Sequence, residues 1–264
     1  MLKWGVLRKI VTAKVYGEAK LIPALKKGKT KARENPKRKD VPDDVINRTL
    51  PHLSPTVGSM VQIQRLTSTR PSEIRRMKVG EIDTEFTQDG VNIWLYTPGT
   101  HKNDWRENDE CKIIPLGKPE QEILAPRLVG LADDDYVFSP RDTEQEVKEK
   151  RAANRKSKIT PSQTARKKRN AQKPKRQRTH YTKRAYHKVV SQSIQIANRN
   201  LPDGEKIPHW NPGMIRHTGI SPLTLHKGLD AARAVAGQKT ISVTQGYNHA
   251  DVQIAIKQAI ERSQ

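Results

Sequence analysis

One tyrosine near the C-terminus, Tyr247, follows three cationic residues that are widely separated in the sequence. The cations are Arg70 in LTSTRPSEI, Lys102 in GTHKNDW and Arg216 in NPGMIRHTG. A free phenol has a pKa near ~10, so only about one in a thousand is ionised at neutral pH, and nearby guanidinium groups raise that fraction. These four residues could therefore cleave a phosphodiester, with the arginines holding the phosphate while the tyrosine attacks it.

The sequence around these residues contains four segments in a fixed order: LTSTRPSEIRRMKVGEID, WLYTPGTHKNDW, MIRHT and SVTQGYNHAD. They resemble the motif boxes of the tyrosine recombinases, the phage integrase family, and the resemblance runs from about residue 10 to the end. It implies a catalytic set made of the nucleophile Tyr247, the arginines Arg70 and Arg216, and the residues Lys102, Gln238, His217 and Glu73.

The resemblance also implies how these residues would act. Tyr247 would attack the scissile phosphate and become joined to the 3′-phosphate, and Lys102 would protonate the leaving 5′-oxygen. Arg70 and Arg216 would stabilise charge on the non-bridging oxygens, and Glu73 would orient the first arginine box. Neither a metal nor another cofactor is expected, because the phosphotyrosine stores the energy of the broken bond.

Several positions depart from the family pattern. Gly213 stands where the second box usually has its first histidine, and Gln238 replaces a histidine or tryptophan nine residues before the tyrosine. Glutamine can donate a hydrogen bond but cannot take up a proton as imidazole can. Ser68 replaces the usual glycine of the first box, and Pro222 falls where the helix after Arg216 should continue, so we expect a kink or an early helix end. His217, His209 and His249 are candidates to replace the missing imidazole.

Two alternatives to recombination remain open at this point. A DNA-binding remnant that has lost catalysis would account for the departures from the family pattern. A type IB topoisomerase uses similar chemistry without exchanging DNA partners.

The composition independently predicts a nucleic-acid partner, because the formal net charge is +22 and the isoelectric point is about 10.1. Residues 150–178 hold 13 Lys and Arg but no Asp or Glu. We expect an insert at about 141–180 that self-repulsion keeps from folding alone and that lies along double-stranded DNA. A basic loop without a specific role is the alternative. The expected DNA contacts are Arg166, Lys167, Lys168, Arg169, Lys183 and Arg184.

The spacing of apolar residues along the 264-residue chain predicts a mainly α fold with a small antiparallel β-sheet, an α+β arrangement. Residues 1–40 are interpreted as the truncated end of an N-terminal helical DNA-binding arm plus a basic linker, and residues 41–264 as the catalytic domain. The segments Val91–Thr97 and Cys111–Leu116 predict a hairpin. A last helix, Asp251–Arg262, would dock on its own domain or on the next protomer of a homo-oligomer, which the resemblance implies is a tetramer.

Cys111 is the single cysteine, which excludes an internal disulfide and a cysteine-based zinc cluster, and a buried thiol on a strand is expected. No apolar run approaches the ~20 residues of a membrane span, and the N-terminus lacks the apolar core of a signal peptide. We therefore expect a DNA-associated protein of the bacterial cytoplasm.

Overall fold

The computed structural model describes residues 2–23, 40–99, 112–172, 179–216, 218–219, 235, 256 and 258–263. The described residues are mainly helical with a small antiparallel sheet, which confirms the predicted fold class. The helices are α1 (Leu2–Leu7), α2 (Ala13–Leu21), α3 (Asp43–Thr49), α4 (Pro55–Thr67), α5 (Pro71–Ile74), α6 (Lys118–Leu128), α7 (Pro140–Ala153), α8 (Pro161–Ala171) and α9 (Lys183–Asn198). The strands are β1 (Ile82–Asp83), β2 (Thr87–Gln88), β3 (Val91–Asn92), β4 (Trp94–Tyr96) and β5 (Ile114–Leu116).

The chain divides into two compact units, Met1–Arg38 and Lys39–Gln264. The first unit holds α1 and α2, and the side chain of Thr12 caps α2 by accepting from the backbone N–H of Val15 at 3.4 Å. Between the two helices Lys9 has a positive φ of 57°, which separates α1 from α2. Several large apolar side chains of this unit are exposed, including Trp4 and Leu7.

Helix α4 is the centre of the second unit. It begins after Ser54, whose side chain accepts from the backbone N–H of Val57, and Pro55 occupies its first turn, where a missing N–H is harmless. Its inner face buries Val57, Met60, Val61 and Ile63, and α9 contributes Tyr186, Val190 and Ile194 to the same hydrophobic core. The helix that leads into Arg70 is therefore fixed by packing on the core rather than held by a surface loop.

The small sheet has the strand order β1-β4-β5, and both pairs are antiparallel. Tyr96 of β4 pairs with Ile82 on one side and with Ile114 on the other. The predicted hairpin is confirmed by the pairing of β4 with β5, whose three residues are all buried. Strands β2 and β3 form a separate two-stranded ribbon.

The basic insert is structured where the structure describes it, which differs from the expectation of an unfolded segment. Ser139 and Asp142 form a capping box at the start of α7, and Glu146 of that helix accepts a hydrogen bond from the Thr56 hydroxyl at 2.7 Å. Thr160 caps α8, and all described side chains of α8 are exposed. Local capping thus organises both helices, and α7 is also hydrogen-bonded to α4.

The described residues of the last helix pack on their own domain. Ile256, Ala259 and Ile260 form a second apolar cluster with Ile93 of the sheet region. Arg262 donates to the buried carboxylate of Glu120 at 2.9 Å. This is one of the two arrangements predicted for the helix.

Among the described residues, no helix combines the length and the apolar content that crossing a bilayer requires.

Candidate active site

The turn that carries Arg70 is built from the end of α4. Ser68 caps this helix in the left-handed conformation, with φ 53° and ψ 24°, a region that glycine enters without steric cost and serine does not. This is the position where the family pattern has glycine, so the backbone geometry that the pattern predicts is present although its usual residue is not. The side chain of Ser68 also lies against Gly219, where an added Cβ would overlap the Ser68 hydroxyl.

Glu73 connects Arg70 to the rest of the turn. Its carboxylate accepts from the backbone N–H of Arg70 at 2.7 Å and from the Arg70 guanidinium at 3.0 Å, so the first turn of α5 is capped by its own acidic residue. The hydroxyl of Tyr96 donates to the Glu73 backbone carbonyl at 2.9 Å and ties α5 to the sheet. Glu73 is 3% exposed, whereas the Arg70 side chain is 36% exposed. The arginine thus faces outward from a buried acidic anchor.

A lysine that the sequence analysis did not select completes this cluster. The ammonium of Lys112, two residues before β5, lies 2.9 Å from the second oxygen of the Glu73 carboxylate. Its side chain is only 11% exposed. The sheet therefore supplies both a hydroxyl and a cation to the arginine turn.

Arg216 reaches the same turn from a distant part of the chain. Residues 212–216 and 218–219 are helical, and Asn211 starts this helix by accepting from the Gly213 backbone N–H at 3.0 Å. The Arg216 guanidinium donates to the Ser68 carbonyl at 2.8 Å. Thr218 exchanges hydrogen bonds with the backbone of Val41, which fixes the other end of the described helix.

Gln64 links the two arginine segments inside the core. Its amide nitrogen donates to the carbonyl of Thr69, next to Arg70, and to the carbonyl of Pro212, at the start of the Arg216 helix. Its amide oxygen accepts from the hydroxyl of Tyr186 on α9 at 3.2 Å. Gln64 is fully buried, so these bonds do not compete with water.

The electrostatics of the cluster follow from burial and from the charges next to each group. Burial lowers the pKa of Lys112 to about 8, although Glu73 opposes the shift. Burial and the nearby Arg70 lower the pKa of Arg216 to about 10, which leaves it protonated at neutral pH. Burial alone would raise the pKa of Glu73, but Lys112 and Arg70 more than offset this and hold the pKa below its ordinary value. The site is thus a set of cations around one ionised carboxylate.

The structure brings together three of the predicted site residues, Arg70, Glu73 and Arg216. His209 is exposed and its ring lies 3.2 Å from the Ser191 hydroxyl on α9, and its hydrogen bond among the described residues is to that helix rather than to the arginine cluster. The other predicted residues lie outside the described ones, namely Lys102, Cys111, His217, Pro222, Gln238, Tyr247 and His249.

The predicted DNA contacts lie on two exposed surfaces. Arg166, Lys167, Lys168 and Arg169 are consecutive residues of α8 and all are exposed. Lys183 and Arg184 are exposed in the first turn of α9, next to a groove lined in part by His187 and Lys188. Consecutive helical residues are rotated by ~100° from one another, so the four cations of α8 point to different sides of that helix.

Lys112 and Gln64 were missed because their sequence context carries little signal. Lys112 stands at the edge of an apolar run, a position where an exposed lysine is common. Gln64 is a polar residue on the apolar face of α4, which is the one hint that the periodicity offers.

Among the described residues, no group of three His, Cys, Asp or Glu residues could hold a metal ion.

Comparisons with known proteins give matches to solved structures alone. No family model matches the chain, and no curated protein sequence matches it. One match is XerH site-specific recombinase bound to difH substrate, at 13% identity and a TM-score of 0.44, covering 76% of this chain and 47% of that one. XerA recombinase matches at 14% identity and a TM-score of 0.46, covering 97% and 77%. FLP recombinase in a Holliday junction complex matches at 11% identity and a TM-score of 0.37, covering 96% and 54%.

The chain spans about half the length of the XerH and FLP chains that it matches. All three TM-scores are below 0.5, so the argument for function rests on the residues of the site and not on these matches.

Proposed function

We propose that this protein is a site-specific DNA recombinase or integrase, which cuts and rejoins DNA through a 3′-phosphotyrosine intermediate. The observation that carries the proposal is the meeting of Arg70 and Arg216 at one turn. The Arg216 guanidinium bonds the carbonyl of Ser68, two residues before Arg70, across 148 positions of sequence. Each guanidinium can donate two parallel hydrogen bonds to phosphate oxygens, so two arginines in one cluster suit a phosphate group.

Tyr247 is the proposed nucleophile. Its ionised phenolic oxygen forms a bond to phosphorus while the bond to the 5′-oxygen breaks, and Lys102 gives that oxygen a proton. The 5′-hydroxyl of a partner strand then attacks the phosphotyrosine, returns its proton to Lys102 and releases Tyr247 as the phenolate. No hydrolysis and no external energy source is needed, because one phosphodiester replaces another.

Arg70 and Arg216 are proposed to bind the non-bridging oxygens, where negative charge builds up in the transition state. Glu73 accepts two hydrogen bonds from Arg70, which supports the proposed role of Glu73 in orienting that arginine. We propose that His217 and Gln238 add hydrogen bonds to the phosphate, with Gln238 a weaker substitute for an imidazole. No metal or other cofactor enters this scheme.

Double-stranded DNA is the proposed partner, held through its backbone. The exposed cations of α8 and the first turn of α9 support this, since phosphate contacts supply affinity without reading sequence. A tetramer assembled on DNA would supply the second strand for exchange, and integration of a mobile element is the proposed biological use.

A catalytically inactive DNA-binding remnant is the second candidate. The observation that favours it is Gly213, which lies in the first turn of the Arg216 helix and offers no side chain where the family has histidine. A type IB topoisomerase is a less favoured third candidate, because the four motif segments resemble the boxes of the integrase family.

The proposal is tested with a nicked, end-labelled suicide DNA drawn from the genetic neighbourhood of the gene. A recombinase forms a labelled covalent adduct on a denaturing gel, and Arg216→Lys reduces that adduct by about 100-fold or more, since lysine cannot make the bidentate contact. DNA binding without any adduct would favour the remnant. Relaxation of a supercoiled plasmid by the monomer, without joined products from two DNAs, would favour the topoisomerase.

A further inference from the structure

Lys112 is a largely buried cation in the arginine cluster, and the proposed mechanism gives it no role. It approaches from the sheet and bonds the Glu73 oxygen that also accepts the Arg70 backbone N–H. The charged groups that face it are Glu73 and Arg70 from the α5 turn and Arg216 from the later helix. One buried lysine is thus surrounded by the three described residues of the candidate active site.

We propose that Lys112 is a positioning residue of the phosphate site, which acts through Glu73 to hold Arg70 and gives the cluster the charge that the scissile phosphate requires. The inference rests on the proposed function, since it concerns the same site. It adds a residue that the family resemblance did not assign.

The first argument is the charge of the cluster. Arg70, Lys112 and Arg216 carry three positive charges and Glu73 carries one negative charge, so the four groups sum to +2. A phosphodiester carries one negative charge, and the transition state of its transfer carries about two. Without Lys112 the same groups would sum to +1, and Glu73 would cancel half of the arginine charge.

The second argument is the cost of placing a lysine there. The backbone N–H and the guanidinium of Arg70 already donate hydrogen bonds to Glu73. Arg70 therefore does not need Lys112 to complete its bonding to this carboxylate. Removing an ammonium from water is expensive, and an ion pair in such a place is weak support for stability when compared with apolar packing. A lysine kept at 11% exposure, beside two arginines that repel it, is better explained by a charge requirement of the site.

The position of Lys112 also makes its charge sensitive to pH. Because burial lowers the pKa of Lys112 to about 8, the ammonium is mostly charged at neutral pH and loses its proton as the pH rises through that value. A bound anion stabilises the charged form, so anion binding must raise the pKa of Lys112 by linkage. Glu73 keeps its charge over this range, because Lys112 and Arg70 hold its pKa below the ordinary value. Arg216, with a pKa of about 10, keeps most of its charge where Lys112 titrates near pH 8.

The first test uses sulfate, whose charge does not change between pH 6 and pH 10. The ¹³Cε resonance of Lys112, assigned by comparison with Lys112→Arg, is followed against pH in the full chain with and without saturating sulfate. We expect an apparent pKa near 8 without sulfate, and an increase of roughly half a unit or more with it. An ordinary lysine pKa, or a value that sulfate leaves unchanged, would overturn the proposal.

The second test follows adduct formation on the suicide DNA at pH 7 and pH 9. Lys112→Met should slow the adduct about tenfold at pH 7, and Lys112→Arg should restore it and decline less than the wild type at pH 9. Lys78→Met is the matched control, because Lys78 pairs with Asp134 outside the cluster. A Lys112→Met variant as fast as the wild type would overturn the proposal.

The two tests separate failure of this inference from failure of the proposed function. If the wild type forms no adduct but sulfate raises the pKa of Lys112, the recombinase proposal fails and the anion site stands. If the wild type forms the adduct and Lys112→Met is normal, the recombinase proposal stands and Lys112 is only an ion-pair partner of Glu73.

Discussion

The guanidinium of Arg216 donates a hydrogen bond to the backbone carbonyl of Ser68 at 2.8 Å. Ser68 is two residues before Arg70, so a backbone contact sets the spacing of the two arginines. The contact depends on the left-handed conformation of Ser68, which turns the chain out of α4. The left-handed backbone of Ser68 therefore helps to set the position of Arg216 relative to Arg70.

Ser68→Gly should stabilise the protein by about 1 kcal/mol. A serine with φ near +53° carries a steric penalty that glycine does not have. Urea denaturation measures the effect as a shift of the midpoint at constant slope.

The reverse change provides the control for Ser68. Gly90 has φ 75° and open space around it, so Gly90→Ala should lower stability by about 1 kcal/mol through the backbone alone. A Ser68→Gly variant that is less stable than the wild type would mean that the Ser68 side chain contributes more than its backbone strain costs.

Gln64→Leu should lower the stability by about 3 kcal/mol. It removes the hydrogen bonds that Gln64 makes to three buried groups, the carbonyls of Thr69 and Pro212 and the hydroxyl of Tyr186. Because two of these bonds hold the arginine segments, adduct formation should fall by more than the unfolded fraction explains. The measurement pairs urea denaturation with the adduct rate at a temperature where both variants are folded.

Tyr186→Phe is the matched control for Gln64. It removes one bond and leaves the two donated by the Gln64 amide in place, so we expect a loss of about 1 kcal/mol and a normal adduct rate. Equal adduct rates in Gln64→Leu and the wild type would show that the link between the arginine segments is structural and nothing more.

Replacing Arg166, Lys167, Lys168 and Arg169 with glutamine should weaken DNA binding similarly for all sequences. Because the four side chains point to different sides of α8, about two should contact one DNA backbone at a time. The slope of log K against log salt should therefore decrease in magnitude by roughly 2. Fluorescence anisotropy over a salt series measures this.

A variant with the same loss of charge elsewhere tests whether location matters. Arg48, Lys118, Arg199 and Lys206 are exposed on other parts of the second unit, and their replacement with glutamine removes four cations as well. If both variants change the slope equally, net charge rather than α8 provides the binding.

Much of the fold was predictable because local rules agree with the packing. The alternation of residues 91–97 predicts β4, and the periodicity of residues 118–129 predicts α6, and both are present. The basic insert shows where composition misleads. Charge repulsion predicts no structure for α8, but Thr160, Pro161 and Gln163 supply the start signals of a helix.

The site was predictable only in part, because long-range contacts leave few traces in one sequence. Motif resemblance selected Arg70, Glu73 and Arg216, and hydrogen bonds join each of them to the Ser68–Glu73 turn. Gln64 and Lys112 could not be selected, since their roles come from partners 148 and 39 positions away. The sequence shows Gln64 as a polar residue in an apolar stripe and Lys112 as a lysine beside a strand. Neither pattern indicates a role in the site until the bonding partners are known.

The most direct test of the central claim compares the wild type with Tyr247→Phe on the same labelled suicide DNA. The change removes one hydroxyl and leaves the described arginine cluster untouched. We expect a covalent adduct in the wild type, none in the variant, and equal DNA affinity for both. An adduct of equal yield in Tyr247→Phe would contradict the account, because another residue would then be the nucleophile.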